Sequence, residues 1–240
     1  IFTLFADKRF VSRYLPDADI RQSDLSSIPG IASIYPYVSG LMPAAIESLD
    51  LSDYDTVISS SVFFSKGLVV KPRTRHISYC FSPTRPLWDR AAEYERTSWP
   101  SRGIRHILRI WDRHAADRVD QFVAISEHIK KRIKKYYQRD ALVIYPPLSL
   151  TVPDTAGELS LSIPKPFYLI VSRLHTYKNI HIAVDTFNKL GYTLVIVGTG
   201  PARKRLERMA KANIRFLGFQ DDQTIATLYA HCRAFIMPQE

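Results

Sequence analysis

The sequence predicts an α/β protein made of two parallel sheets flanked by helices. Three observations carry this. Short apolar runs of strand length alternate with helical patterns along the chain, the mark of parallel strands joined by helical crossovers. A stretch over residues 148–166, with Pro153, Gly157, Pro164 and Pro166 and little periodicity, separates two such series. In the second series one apolar run delivers basic residues and the next ends in a Gly-x-Gly-Pro turn. Both features lie at carboxyl ends of strands, where open α/β sheets bind their ligands.

The elements follow in order. In the first half, apolar runs at Ile1–Phe5, Thr56–Ser60, His76–Phe81, Gln121–Ile125 and Leu142–Tyr145 are expected strands. Helical spacing covers Leu41–Leu49, Leu87–Arg96, Ile104–Arg118 and Glu127–Tyr137. Ser126 is suited to cap the last of these, and Pro146-Pro147 stops the final strand. The second half opens with Phe167–Val171, followed by a helix with apolar residues at Ile180, Val184, Phe187 and Leu190. Strands at Leu194–Val197, Ile214–Leu217 and Ala234–Met237 and a helix over Asp221–His231 complete it. The expected organisation is a Rossmann-like domain over 1–147, a linker over 148–166 and a second Rossmann-like domain over 167–240. Both are expected to be incomplete. The chain opens on Ile1 rather than Met, and it stops at Met237-Pro238-Gln239-Glu240, on a strand with no helix to cover it.

Composition bounds the partners. The net charge is +10, which favours anionic ones. The charge is densest at Lys130, Lys131, Arg132, Lys134 and Lys135, on a helix with apolar residues at Ile129, Ile133 and Tyr136 or Tyr137. The plain reading is a solvated face on a helix that packs on a sheet. The sharper one is contact with an anionic membrane surface. No nucleic-acid reader motif accompanies the charge, so nucleic acid is not expected. No run reaches the roughly 20 apolar residues of a membrane span. Cys80 and Cys232 lack metal or redox spacing and read as buried reduced thiols of a cytoplasmic protein.

The candidate site residues begin with Arg173 and Lys178, just after the strand Phe167–Val171. Two fixed cations there suit clustered phosphate charge. Gly198-Thr199-Gly200-Pro201 supplies a tight turn, with Pro201 suited to open a helix. Phe216-Leu217-Gly218-Phe219 closes a third strand. Asp221 and Asp222 read as a helix cap rather than a metal pair, and no metal or cofactor is expected. In the first half stands His76-Ile-Ser-Tyr-Cys80-Phe81-Ser82-Pro83-Thr84-Arg85-Pro-Leu-Trp88-Asp89. His76 lies mid-strand and is expected to be packed. Arg85 suits an acceptor phosphate or carboxylate, or a pair with Asp89 four residues on.

Ser-Arg-Leu…Lys followed by Gly-x-Gly-Pro resembles the nucleotide-binding half of the retaining two-domain glycosyltransferases of family 4. The stretch around Phe81 resembles the Tyr-Cys-His-Thr-Pro-x-Arg…Trp-Asp segment of the family's mannosyltransferase-like members. Asp55-Thr-Val-Ile-Ser, Phe122-Val-Ala-Ile-Ser and Tyr136-Tyr-Gln-Arg-Asp extend the resemblance over nearly the whole chain. It implies a GT-B fold, two Rossmann-like domains facing a cleft. It implies that Arg173 and Lys178 hold the donor diphosphate and are the catalytic cations. Gly198 and Gly200 would line the donor, and Leu217, Gly218 and Phe219 would face the nucleobase. Glu240 would be at or beside the first acidic residue of a Glu-x7-Glu stretch that touches donor sugar and ribose. Phe81, Ser82 and Arg85 would lie on the acceptor side. The chain departs from the pattern at Phe81, where the family has His, because Phe neither gives nor accepts a proton.

The implied reaction transfers a sugar from a nucleoside-diphosphate sugar, with GDP-mannose the first candidate. The implied acceptor is lipid-linked or a growing polysaccharide, at the cytoplasmic face of the cell membrane. The alternatives are a degenerate sugar-nucleotide-binding scaffold subunit, favoured by Phe81, and a nucleotide-sugar epimerase of similar fold. The segment by itself is expected to be inactive.

Overall fold

The structure, a computed structural model, describes residues 1–31, 39–89, 102–147 and 162–238. The chain divides into two compact units, Ile1–Pro147 and Leu148–Glu240.

The first unit opens with a small parallel pair, β1 (Phe2–Thr3) and β2 (Arg21–Gln22), joined through helix α1 (Lys8–Tyr14). Helix α2 (Met42–Glu47) leads to the main sheet. That sheet is parallel, in the spatial order β3 (Thr56–Ser61), β4 (Arg75–Cys80), β5 (Gln121–Ala124) and β6 (Ala141–Val143). Helices α3 (Arg102–Asp117) and α4 (Glu127–Tyr137) cross between its last strands. The strands lie within about a residue of the apolar runs, except that β6 begins at Ala141 and ends at Val143. Helical spacing over Leu87–Arg96 gives a turn at Leu87–Asp89, and the rest of that span lies outside the described residues. Neither α1 nor β2 was expected. α1 buries no residue and β2 is two residues long, so neither carries a periodic apolar signal.

α4 shows how local chemistry sets an element. Ser126 Oγ accepts a hydrogen bond from the Ile129 N–H at 3.2 Å and caps the start. Gln138, at φ 54° in the left-handed region, ends the helix. Ile129, Ile133 and Tyr137 form the buried stripe. One expectation for this helix is corrected. Arg132 is not part of the solvated basic face but is buried. Its Nη1 donates to Ser82 Oγ at 3.0 Å, and its Nη2 lies 2.7 Å from Asp89 Oδ2, an ion pair rather than an aligned hydrogen bond. Burial without these partners would be prohibitive for a guanidinium.

The second unit is one parallel sheet in the order β10 (Ala234–Phe235), β7 (Phe167–Val171), β8 (Thr193–Val197) and β9 (Ile214–Gly218). Helices α5 (Ile180–Leu190), α6 (Arg203–Met209) and α7 (Asp222–His231) connect the strands. Apolar residues fill both faces. Ile170, Leu194 and Ile196 pack with Val184 and Phe187 on one side, while Leu169, Val195 and Val197 pack with Leu228 on the other. Two-sided burial is why these strands read as continuous apolar runs. Asp221 Oδ1 accepts from the Thr224 N–H at 2.8 Å, so it caps α7.

The first unit is centred on a fully buried carboxylate, Asp112 of α3. Its Oδ1 accepts from Lys66 Nζ and from Thr84 Oγ1 at 2.6 Å. Its Oδ2 accepts from Trp88 Nε1 at 2.8 Å and from Tyr137 Oη at 2.9 Å. Lys66 is also fully buried and donates to the Phe63 carbonyl at 2.7 Å. Removing one partner of such a pair typically costs about 3–5 kcal/mol, because the other charge is left buried alone.

His76 is buried on β4 as expected, with Nε2 2.8 Å from Ser59 Oγ. Burial pushes its pKa from 6.5 down to about 4, against the opposing pull of Asp120. The unfolded chain therefore takes up a proton near pH 6.5 that the folded chain refuses until about pH 4. The stabilisation is complete above the upper value and is lost as pH falls through that window. Urea unfolding should show the first unit about 2 kcal/mol weaker at pH 5 than at pH 7 from this group alone. His76→Gln should flatten that part of the profile. Tryptophan fluorescence is the readout, since Trp88, Trp99 and Trp111 all lie in this unit. An equal pH slope in wild type and variant would contradict the assignment.

Candidate functional site

In the second unit three adjacent strands end at one edge, and their following turns are bonded to one another. The Ser172 N–H donates to the Val197 carbonyl at 3.0 Å, and the Leu174 N–H donates to the Thr199 carbonyl at 2.8 Å. The Ala202 N–H returns a bond to the Leu174 carbonyl at 2.9 Å. On the other side, the Gly198 N–H donates to the Gly218 carbonyl at 2.7 Å. Three turns thus form one backbone-bonded surface at the carboxyl ends of β7, β8 and β9.

Glycine is required for this closeness. A Cβ on Gly198 would sit 2.0 Å from the Ser172 carbonyl oxygen, and one on Gly200 would sit 2.5 Å from that of Leu174. Gly198 also holds φ at +124°, a conformation that side chains oppose. A Cβ on Gly218 would reach 3.1 Å from the Arg203 guanidinium, which places that cation over the β9 turn. Arg203 Nε itself donates to Glu207 Oε1 at 2.7 Å.

The two candidate cations ride on the first of these turns. Arg173 is exposed, and the next residue, Leu174, is fully buried and anchors the turn to the core. Lys178 is half-buried and ends a short 3-10 turn, Thr176–Lys178. Its Nζ lies 5.3 Å from the Tyr177 ring centroid. Asn179 follows at φ 55°, a left-handed geometry that Asn tolerates better than most residues. Arg173, Lys178, Gly198, Gly200 and Gly218 therefore all occupy this edge. Leu217 sits at an irregularity in the β8–β9 pairing, and its side chain packs into the core. Its carbonyl accepts from Gln220 Nε2 at 2.8 Å. Phe219 is 81% exposed. Glu240 lies outside the described residues.

In the first unit, Phe81 directly follows β4 and is exposed, with its ring edge-on to Tyr79 at 5.3 Å. Tyr79 is held by its hydroxyl, which donates to the Ile144 carbonyl at 3.2 Å. Ser82 is buried, and its hydroxyl is committed inward: it donates to the Pro83 carbonyl and accepts from Arg132. It therefore supplies no free proton carrier beside Phe81. Arg85 is exposed, while the ion pair of Asp89 is with Arg132. Cys80 is fully buried, and burial raises its pKa to about 11, so it is not a thiolate nucleophile. Cys232 is only half-buried, which corrects that part of the expectation. Among the described residues no group of His, Cys, Asp and Glu is arranged to hold a metal.

Sequence reasoning missed Lys66 and Asp112, and it named Tyr137 only as an alternative apolar position of α4, not as a hydrogen-bonding one. A signal existed, since Leu108, Asp112 and Ala115 share one helical face, and an acid within an apolar stripe points inward.

Residues 157–240 match the family of glycosyl transferases group 1. The D-rhamnosyltransferase WbpZ of Pseudomonas aeruginosa is 36% identical over 76 residues, 30% of this chain and 20% of that protein. The O-antigen chain mannosyltransferase C of Escherichia coli is 28% identical over 127 residues, 49% of this chain and 32% of that protein. The chain thus spans a third or less of the length of these two relatives. Among solved structures, HepE of Anabaena in complex with UDP matches with a TM-score of 0.64 at 18% identity, over 98% of this chain and 65% of that one. At that identity the likeness is one of fold.

Proposed function

We propose that this protein, whose residues 157–240 match the glycosyl transferases group 1 family and whose fold is of the GT-B type, is a glycosyltransferase that draws its sugar from a nucleoside diphosphate. The observation that carries the reading is the backbone-bonded edge of the second sheet, where Arg173 and Lys178 flank a buried anchor beside the Gly198–Gly200 turn. Cleaving the anomeric C–O bond of the donor builds negative charge on the leaving phosphate while the sugar becomes oxocarbenium-like. Cations already fixed at the leaving oxygens lower that barrier without reorganising during the step. The glycines let backbone and phosphate approach closely. Leu217, Gly218 and Phe219 are assigned to the nucleobase side, and Glu240 to the donor sugar. Donor side and acceptor side fall to the second and first units respectively, and transfer with retention of anomeric configuration is part of the reading.

Mannose from GDP-mannose is the first candidate donor. Its support is that two curated relatives are named for mannose and for D-rhamnose, which is 6-deoxymannose. The acceptor class is a lipid-linked or growing polysaccharide, in line with the O-antigen chain in one relative's name. Phe81, Ser82 and Arg85 are placed on the acceptor side, where Phe81 supplies contact and no proton.

The test is transfer from GDP-mannose, UDP-sugars and ADP-sugars to polyprenyl-diphosphate-linked oligosaccharides by the full-length protein. Transfer should occur, and Arg173→Ala and Lys178→Ala should each lower turnover roughly a hundredfold while the fold persists. Near-normal kinetics in both variants would remove the donor-diphosphate assignment. An epimerised nucleotide sugar as the product would replace the transferase reading.

Such an acceptor places the enzyme at the cytoplasmic membrane face. The contact we assign is a peripheral one through α4; among the described residues no helix is long and apolar enough to cross a membrane. Lys131, Lys134 and Lys135 of α4 are exposed, Lys130 is half-buried, and Lys134 lies 3.0 Å from Asp140. Vesicles containing phosphatidylglycerol should bind the protein, and binding should weaken with salt and with Gln in place of these four lysines. Equal binding to neutral phosphatidylcholine vesicles would contradict the assignment.

A further inference from the structure

The loop after β4 is held from beneath at Ser82, Thr84, Leu87, Trp88 and Asp89. Ser82 Oγ is bonded to Arg132. Thr84 Oγ1 donates to Asp112, and its N–H donates to Tyr137 Oη at 3.2 Å. The Leu87 carbonyl accepts from Arg109 Nε at 2.9 Å. Trp88 Nε1 donates to Asp112, and Asp89 is paired with Arg132. Trp88 is further wedged against Tyr136, with stacked rings 5.2 Å apart. Pro83, Pro86 and Leu87 are buried, so Phe81 and Arg85 are the side chains turned outward between Phe81 and Leu87.

Four partners on one carboxylate are more than a stability argument needs. A buried ion pair contributes little net stability, and apolar residues of similar volume often serve as well or better. What it supplies is a fixed geometry, since every bond must be kept once the charges are buried. Asp112 joins Lys66 from the β3–β4 connection, Thr84 and Trp88 from the loop, and Tyr137 from α4. We propose that Asp112 is a positioning residue that, through Thr84, Trp88 and Tyr137, holds the Phe81–Asp89 loop in one conformation, so that Phe81 and Arg85 meet the acceptor preorganised. The role rests on the acceptor-side reading above. Loop and hub lie wholly within the first unit.

The test uses Tyr137→Phe, because a change at Asp112 itself would strand Lys66 and risk the fold. The variant removes one bond to Asp112 and one to the Thr84 N–H and keeps the ring. Amide exchange at Thr84, Leu87 and Trp88 should quicken by roughly tenfold, about the value of one lost hydrogen bond. The indole N–H resonance of Trp88 should shift. With polyprenyl-diphosphate-linked oligosaccharide as acceptor, KM for acceptor should rise by roughly tenfold with GDP binding unchanged. Trp88→Phe, which removes a different bond to Asp112, should give the same split. Unchanged loop exchange in both variants would overturn the clamp, whether or not the protein transfers sugar. Quickened exchange with an unchanged acceptor KM would overturn the positioning role. Failure of wild-type protein to bind GDP, UDP or ADP would instead count against the transferase reading, and the exchange arm alone would then decide the clamp.

Discussion

The second unit depends on one close approach, the passage of the β8–α6 turn across the turn after β7. The Leu174 N–H and carbonyl are both taken by that turn, from Thr199 and Ala202. The approach leaves no room for a Cβ at Gly198 or Gly200. Because Leu174 is buried between Arg173 and the 3-10 turn that carries Lys178, the contact also fixes where the two cations begin. The sheet supplies rigidity, the glycines supply proximity, and charge is added at the rim.

The first unit solves a different problem. Its outward loop would be free on the surface if it had only backbone bonds within itself. Side chains of α3 and α4 hold it instead, through Asp112, Arg109, Arg132 and Tyr137. This arrangement takes two cations out of solvent, Lys66 and Arg132, in a chain whose net charge is +10. The visible charge count therefore overstates the basic surface near α4.

How far the sequence could be read follows from burial. β7 and α5 were legible to the residue because both faces of the strand and a full stripe of the helix are apolar. β9 was legible apart from Gly218, which joins the strand across a register irregularity. α1 and β2 were not, because neither buries side chains. Arg173, Lys178 and the glycines stood out by their place at strand ends, where exposed cations suit an anion and glycine permits tight turns and close approach. Asp112 and Arg132 did not, because a charged letter reads as solvated until its partners are known. Those partners are distant in sequence, Lys66 for one and Asp89 for the other. The inward commitment of Ser82 was hidden for the same reason, since its hydroxyl looks available until Arg132 is found on it.

The most direct measurement is calorimetric titration of GDP, UDP and ADP into full-length protein and its Gly198→Ala variant. A methyl group at that position must push the β8 turn away from Ser172. The account predicts that wild type binds at least one of the three nucleotides and that the variant, still folded by circular dichroism, binds it at least tenfold more weakly, a change of about 1.4 kcal/mol. Equal affinity in wild type and variant, or no binding of any of the three by wild type, would contradict it.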